Sequence, residues 1–408
     1  MQNVLLYGDV IMAKKDFKTY LPVLIPLLAA VLVVSTLAIS GRVANKTAAP
    51  AAPTVTQEAA TTEEAKPQDA KVTMVAVGDN LIHNTLIDAG KQDDGSLDYN
   101  SFYEEIKQYI EPADIAIINQ ETMLGGKDFE YSGYPMFNTP WEVGDAARAA
   151  GFDVFTCATN HAMDVGSAGI LKELEYFKKH PEVLAVGTNE SEAEQNTIDY
   201  YEKNGINFAF LNYTYGTNGI SLPADKPYVV NMLKKEKVEK DIKEARRHAD
   251  VVVVLPHWGT ENSHEVNEQQ KEYVKLFSSL GVDIVIGTHH HVLQPVEWVT
   301  NAETGKKMLV YYSIGNFISH QVNRNQMVGG MAEITVERKD GAITITNAKI
   351  TPVIDYYKHT AGGYKFRVYR LSDYNDDLAN SQAQDGLSVK YCTNLAKDII
   401  SEEFLDLT

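Results

Sequence analysis

Five short apolar runs, each ending in a polar cluster, constrain this chain more than any other feature. Residues 72–77 lead to Gly78-Asp79, 115–118 to Asn119-Gln120-Glu121, and 154–158 to Thr159-Asn160-His161. Residues 251–255 lead to Pro256-His257, and 284–286 to Gly287-Thr288-His289. Apolar runs this short, with no polar face, suit strands buried on both sides. Amphipathic stretches at roughly 99–110, 167–180, 231–248 and 265–280 separate them. The alternation predicts βαβ units, an α/β fold and a sheet with helices on both faces. Residues 331–337 and 342–346, joined through Lys339-Asp340-Gly341, read as a β-hairpin, and 375–408 reads as helical. No internal repeat is evident.

In open α/β sheets, ligands bind beyond the carboxyl ends of the strands. Asp79, Glu121, Asn160, His161, His257, Glu261, His289 and His291 are therefore expected on one rim. Imidazoles mixed with carboxylates favour Mn, Zn or Fe over Ca or Mg, which prefer oxygen shells. Two divalent transition metal ions ~3.5–4 Å apart need about seven protein ligands, one a bridging carboxylate. Glu121 is the expected bridge. In an extended segment His289 and His291 point one way and His290 the other. His83, four residues after Asp79, shares its face if the chain turns helical there, and is a further candidate ligand. Asn160 offers an amide oxygen. His161 is the candidate general acid, with Asp164 one helical turn on to hold its tautomer. A plain N-terminal helix charge is the alternative for Asp164. Asn119, which shares Glu121's orientation, is assigned with Glu261 and Asn316 to substrate contact. The polar segment 213–219 reads as an ordinary loop, with substrate recognition the alternative, and His264, His320 and His359 as surface or core residues.

The N-terminus carries a topological signal. Residues 20–40 contain no charge and are long enough to cross a bilayer, and Lys14, Lys15 and Lys18 precede them. A single-pass signal anchor with the globular part extracytoplasmic is expected. A cleaved signal peptide is the rival, but its apolar region is usually shorter. Met12 heads a more usual basic start than Met1. Residues 41–70, rich in Ala, Thr, Pro and Glu, read as a flexible linker. The expected organisation is a cytoplasmic N-terminus at 1–19, anchor at 20–40, linker at 41–70, globular domain at 71–360 and helical tail at 361–408.

Exclusions narrow the function. A net charge of −18 argues against a nucleic-acid surface. Two cysteines, Cys157 and Cys392, rule out a disulfide framework and a four-thiolate zinc site; Cys157 reads as a buried core thiol. The chain has no Gly-x-Ser-x-Gly, P-loop or dinucleotide fingerprint.

Six ordered motifs resemble a known family. They are Gly78-Asp79, Asn119-Gln120-Glu121, Ala158-Thr-Asn-His-Ala-Met-Asp164-Val-Gly166, His257-Trp-Gly-Thr-Glu261, Gly287-Thr-His-His-His-Val292 with Gln294-Pro295, and Ser313-Ile-Gly-Asn-Phe317. Their order is similar to that in the CapA capsule-biosynthesis proteins, over roughly residues 72–318. The resemblance implies a calcineurin-like metallophosphoesterase four-layer sandwich and metal ligands at Asp79, Glu121, Asn160, His257, His289 and His291. It also implies a cell-envelope role in making or exporting poly-γ-glutamate capsule. Thr159 and His290 depart from the family's usual Asn and Pro. Two functions follow as expectations. One is metal-dependent hydrolysis of a phosphoester. The other is a non-catalytic scaffold or export component that binds an anionic polymer beside capsule synthase membrane subunits.

Overall fold

The computed structural model describes residues 68–321 and 323–408. The expected anchor at 20–40, the N-terminus before it and nearly all of the linker lie outside the described residues. Among the described residues, no helix is long and apolar enough to cross a membrane.

The apolar runs form strands, in two sheets rather than one. The first contains β1 (Ala70–Asn80), β2 (Ile115–Asn119), β3 (Val154–Thr156), β4 (Leu184–Val186), β11 (Asn316–Ile318), β12 (Val328–Lys339), β13 (Ala342–Thr360) and β14 (Gly363–Arg370). Its order is β14-β13-β12-β1-β2-β3-β4, with β11 pairing in parallel on β1. The second contains β5 (Asp199–Lys203), β6 (Ile206–Thr214), β7 (Val251–His257), β8 (Ile284–Ile286), β9 (Val296–Thr300) and β10 (Lys307–Tyr311), in the order β5-β6-β7-β8-β10-β9.

Side-chain alternation shows why two sheets form. Successive strand residues point to opposite faces. Phe208, Phe210, Val251, Val253, Leu255, Ile284 and Ile286 join the core shared with the first sheet. Their neighbours Ala209, Leu211, Val252, Val254 and Val285 pack with Val238, Ile242, Val274 and Phe277. Those four belong to the helices Lys235–Ala245 and Glu268–Ser279. The helices Asn84–Ala89, Trp141–Ala149 and Gly166–Lys178 contribute Leu86, Val143, Ala147 and Phe177 to the first sheet's core. A helix layer thus backs each sheet, giving the four-layer sandwich. The single sheet expected from the bare alternation is corrected: a run buried on both faces can have another sheet on one of them.

The hairpin forms with much longer arms, β12 and β13. The tail also differs from expectation. Residues 363–370, read as the start of a helical tail, pair antiparallel with β13 as the sheet edge. Their alternation is visible in Phe366 and Val368, which are buried. Helices follow only at Asp376–Ser381 and Val389–Ile399. Region 99–110 forms two short helical turns, Asn100–Tyr103 and Lys107–Ile110.

The passage from β10 to β11 is threaded tightly past β1. A Cβ on Gly78 would lie 1.7 Å from the Gly315 carbonyl oxygen. Backbone oxygen cannot yield as a flexible side chain can, so this contact fixes β1 against residues 314–316. Gly78→Ala is expected to cost about 3 kcal/mol, the upper part of the range for overpacking. Chemical denaturation checks this, and a change under about 0.5 kcal/mol, the usual surface effect, would contradict it.

Candidate metal centre

The polar clusters meet because parallel strands deliver them to the same end. Asp79 pairs in register with Asn119 of β2 and Asn316 of β11. Thr156 of β3 pairs with Asn119, and His257 forms a bridge with Thr288 just past β8. Asp79, Asn119, Glu121, Asn160, His257, His289, His291 and Asn316 are all buried.

Two groups of candidate ligating atoms result. Glu121, His257 and His289 form one, and Asp79, Glu121 and His291 the other; within each, the atoms lie within 4.8 Å of one another. Glu121 is common to both. Its Oε1 lies 3.8 Å from His257 Nε2 and its Oε2 3.7 Å from His291 Nδ1. Neither oxygen has a hydrogen-bond partner, and His289 Nδ1 has none either. Unpaired buried polar atoms are costly. A cation held between them would partner all three.

The neighbouring bonds aim these side chains. His257 Nε2 lies 2.8 Å from Asn160 Oδ1, and its Nδ1 lies 2.9 Å from Thr288 Oγ1. Asp79 accepts from Asn119 Nδ2 at 2.8 Å, and its Oδ2 sits 3.0 Å from His291 Nδ1. Asn119 in turn accepts from Thr156 Oγ1 at 2.7 Å. Asn119 is therefore a brace beneath Asp79, buried at the strand end, and not the substrate contact expected of it.

Burial, then repulsion from Asp79, holds the Glu121 carboxyl well above its usual range. Burial and the neighbouring imidazoles, His289 first, push His257 well down. Burial and His291 push His289 down to about 2. Burial alone would lower His291, but Glu121 and Asp79 outweigh it and lift it to about 9.

The three-histidine segment behaves as expected for a different reason. His289 and His291 enter the groups, while His290 turns away, its ring filling the space a side chain at 259 would need. The backbone is not extended, however: φ is +100° at His289 and +60° at His291. Two left-handed residues without glycine mark strain held by the surrounding packing.

His83 joins neither group. The helical turn supposed to align it with Asp79 does not begin until Asn84, because β1 runs on to Asn80. Its Nδ1 lies 3.3 Å from the Leu81 carbonyl and its ring meets Phe137 edge-on at 5.3 Å. Burial lowers it to about 4. Glu261 is exposed, yet near enough for its charge to act on Glu121 and His291.

His161 Nδ1 lies 2.7 Å from Asp164 Oδ2, which also accepts the Phe137 N–H at 2.8 Å. Phe137 packs edge-on against the His161 ring at 4.6 Å. Asp164 stands before the helix Gly166–Lys178 and still bonds His161, so the tautomer-holding geometry is present. The segment 213–219, read as an ordinary loop, reaches the site. Asn218 accepts from Asn160 Nδ2 at 3.2 Å and lies 3.3 Å from His161 Nδ1; Tyr215 packs on His289 at 4.5 Å. The signal in the sequence is its place at the end of β6, whose residues alternate between the two cores. His264 is tied to the Leu293 carbonyl at 2.7 Å, and His320 lies in an aromatic cluster with Tyr357, Tyr364 and Phe366.

Comparison with known proteins gives a coherent set. The family model for bacterial capsule synthesis protein PGA_cap matches residues 73–321. The PGA biosynthesis protein CapA of Bacillus subtilis (strain 168) is 35% identical over 181 residues, covering 42% of this chain and 43% of that protein. The capsule biosynthesis protein CapA of Bacillus anthracis is 32% identical over 182 residues, 43% of this chain and 42% of that one. The chain thus spans less than half the length of these relatives. Among solved structures, the calcineurin-like phosphoesterase YfkN from Bacillus subtilis aligns with a TM-score of 0.42 at 15% identity, over 81% of this chain and 97% of that one. A 5′-nucleotidase from Candida albicans SC5314 aligns with a TM-score of 0.41 at 13% identity, over 80% and 54%. Scores this low transfer nothing to this chain.

A pH dependence follows from the shifted groups. His291, lifted to about 9 by the charges on Glu121 and Asp79, holds a proton that a cation must displace. Metal affinity is therefore expected to climb as pH rises toward about 9 and to fall on acidification, with protons released on uptake. Calorimetric titration in buffers of different ionisation heat measures the release. Uptake without proton release at neutral pH would contradict this assignment.

Proposed function

Because the chain belongs to the bacterial capsule synthesis protein family PGA_cap, we propose that it is a membrane-anchored, extracytoplasmic capsule-biosynthesis protein with a two-metal hydrolytic site. The substrate is a phosphoester or a comparable bond of the envelope polymer's assembly. The observation that carries this reading is the pair of ligand groups sharing the buried, unpartnered Glu121 carboxylate. Asp79, Glu121, Asn160, His257, His289 and His291 would hold the ions, with Mn, Zn or Fe suited to this donor set. Bound there, two divalent ions supply Lewis acidity toward a phosphoryl oxygen and a nucleophile at neutral pH.

The chain's own groups would complete the chemistry. Asp164 fixes His161 through Nδ1, which leaves Nε2 to hand a proton to a departing oxygen. The Phe137 edge shields one side of that imidazole from water. Asn218 accepts from Asn160 Nδ2 and its own Nδ2 lies beside the His161 ring, so this loop residue stands between the proton donor and the metal-facing amide. A purely scaffolding domain has no need of a buried His–Asp pair beside metal ligands, which favours hydrolysis over the export-component reading. Envelope placement rests on the charge-free run at 20–40 and the lysines before it. Capsule synthase membrane subunits are the partners such an anchored domain would meet.

The test uses the full chain loaded with Mn²⁺ or Zn²⁺ against a phosphodiester and a phosphomonoester chromogen. Turnover is expected. His161→Ala should lower kcat by about 10²–10⁴ while metal content stays at the wild-type level. Asp79→Ala should lose both metal and turnover. A fully metallated chain inert toward every phosphoester would overturn the hydrolase reading and leave the scaffold.

A further inference from the structure

We propose that Asn316 is the seventh protein ligand of the metal centre, and that Asp355 holds it in place through Ser319. The inference rests on the metal-centre reading above. It replaces both the substrate contact expected of Asn316 and the ligand role expected of His83.

The two ligand groups are built alike. On one side of Glu121, the Asn160 amide oxygen stands 2.8 Å from His257 Nε2. On the other, Asn316 Oδ1 stands 3.1 Å from His291 Nδ1, the nitrogen that also lies 3.0 Å from Asp79 Oδ2. Donors bound to one ion at ~2.1 Å lie about 3–3.4 Å from each other, so this spacing is that of neighbouring ligands. His291 Nδ1, Asp79 Oδ2 and Asn316 Oδ1 thus converge on one point, where a single cation would take all three as donors. Each group then holds four donors with Glu121 shared, seven protein ligands in all, which is the number two ions require.

The orientation of the Asn316 amide is set by its surroundings. Its Nδ2 faces three acceptors, Ser319 Oγ at 3.2 Å, Gln321 Oε1 at 2.8 Å and the Gln326 carbonyl at 3.0 Å. A carbonyl can only accept, so the NH₂ end must lie there and Oδ1 must face the site. Ser319 is an acceptor for a reason. Its hydroxyl donates to Asp355 Oδ2 at 3.1 Å, and its backbone N–H donates to the same oxygen at 2.7 Å. With that hydrogen committed, the Ser319 oxygen presents a lone pair to Asn316. Asp355, Ser319 and Asn316 are all buried. Asp355 lies on β13, beyond the 73–321 stretch that the family model matches. A strand outside that stretch therefore positions a ligand inside it. Partners of this kind behind metal ligands typically contribute 10–100-fold to affinity.

The experiment counts Mn²⁺ ions taken up by the metal-stripped full chain in equilibrium dialysis, with the melting profile of each metal-free variant as the folding check. Wild type and His83→Ala should each bind two ions. Asn316→Ala should bind one, with the second ion lost or weakened by more than about tenfold. Ser319→Ala should weaken the second ion by about 10–100-fold and leave the first unchanged, a site-selective loss that general destabilisation would not give. If Asn316→Ala binds two ions with wild-type affinity, the inference is overturned. If that variant does not fold, Ser319→Ala decides, and an unchanged second affinity overturns it. Loss of the second ion in His83→Ala but not in Asn316→Ala would restore the histidine. A wild-type chain that takes up no Mn²⁺ overturns the metal-centre reading itself, and this inference with it.

Discussion

A carboxylate with no protein partner, buried between two imidazoles, is the constraint around which this molecule is arranged. Glu121 lies at the junction of the two sheets' loops, 1% exposed, with both oxygens unpaired. Burying a charge without compensation is among the most expensive things a protein can do. The surroundings offer only partial relief: the nearest imidazole nitrogens stand 3.7 and 3.8 Å away, beyond hydrogen-bond reach. Such a site is at odds with itself as a structural element and well suited to binding cations. The cost is met by the surrounding sandwich, whose strands are buried on both faces and carry the ligands to one end.

The sequence disclosed this arrangement unevenly. Strands whose apolar runs end in chemistry, β1, β2, β3, β7 and β8, were legible because the run and its polar terminus coincide. So were Glu121 as the shared carboxylate and the opposite directions of His289 and His290. Division into two sheets was hidden, because an apolar run reports burial on both faces without saying what covers them. Resemblance to a known family supplied that layer. β14 falls inside the expected helical tail because its flanks are polar and it pairs only with β13. β11, three residues long, is too short to show any period.

The residues hardest to place share one feature. His83 aligns with Asp79 only if a helical turn follows, and the helix does not begin until Asn84. Asn119 and Asn316 are expected at the substrate, but the contacts that aim them are not local. Their roles depend on partners 37 and 36 residues away or more in the chain, Thr156 beneath Asn119 and Asp355 behind Ser319. Asn218 sits in a segment that reads as an ordinary loop or a substrate contact, because a loop's destination is not written in its composition. Local pattern locates chemistry well when the residue's neighbours are local, and poorly when the deciding contact comes from another strand.

The account's central claim is that Glu121 bridges two ions. Crystals of the protein grown with Mn²⁺ and measured at the manganese absorption edge test it most directly. Two anomalous peaks ~3.5–4 Å apart, with one Glu121 oxygen toward each, are predicted. A single peak, or peaks that leave Glu121 uncoordinated, would contradict it.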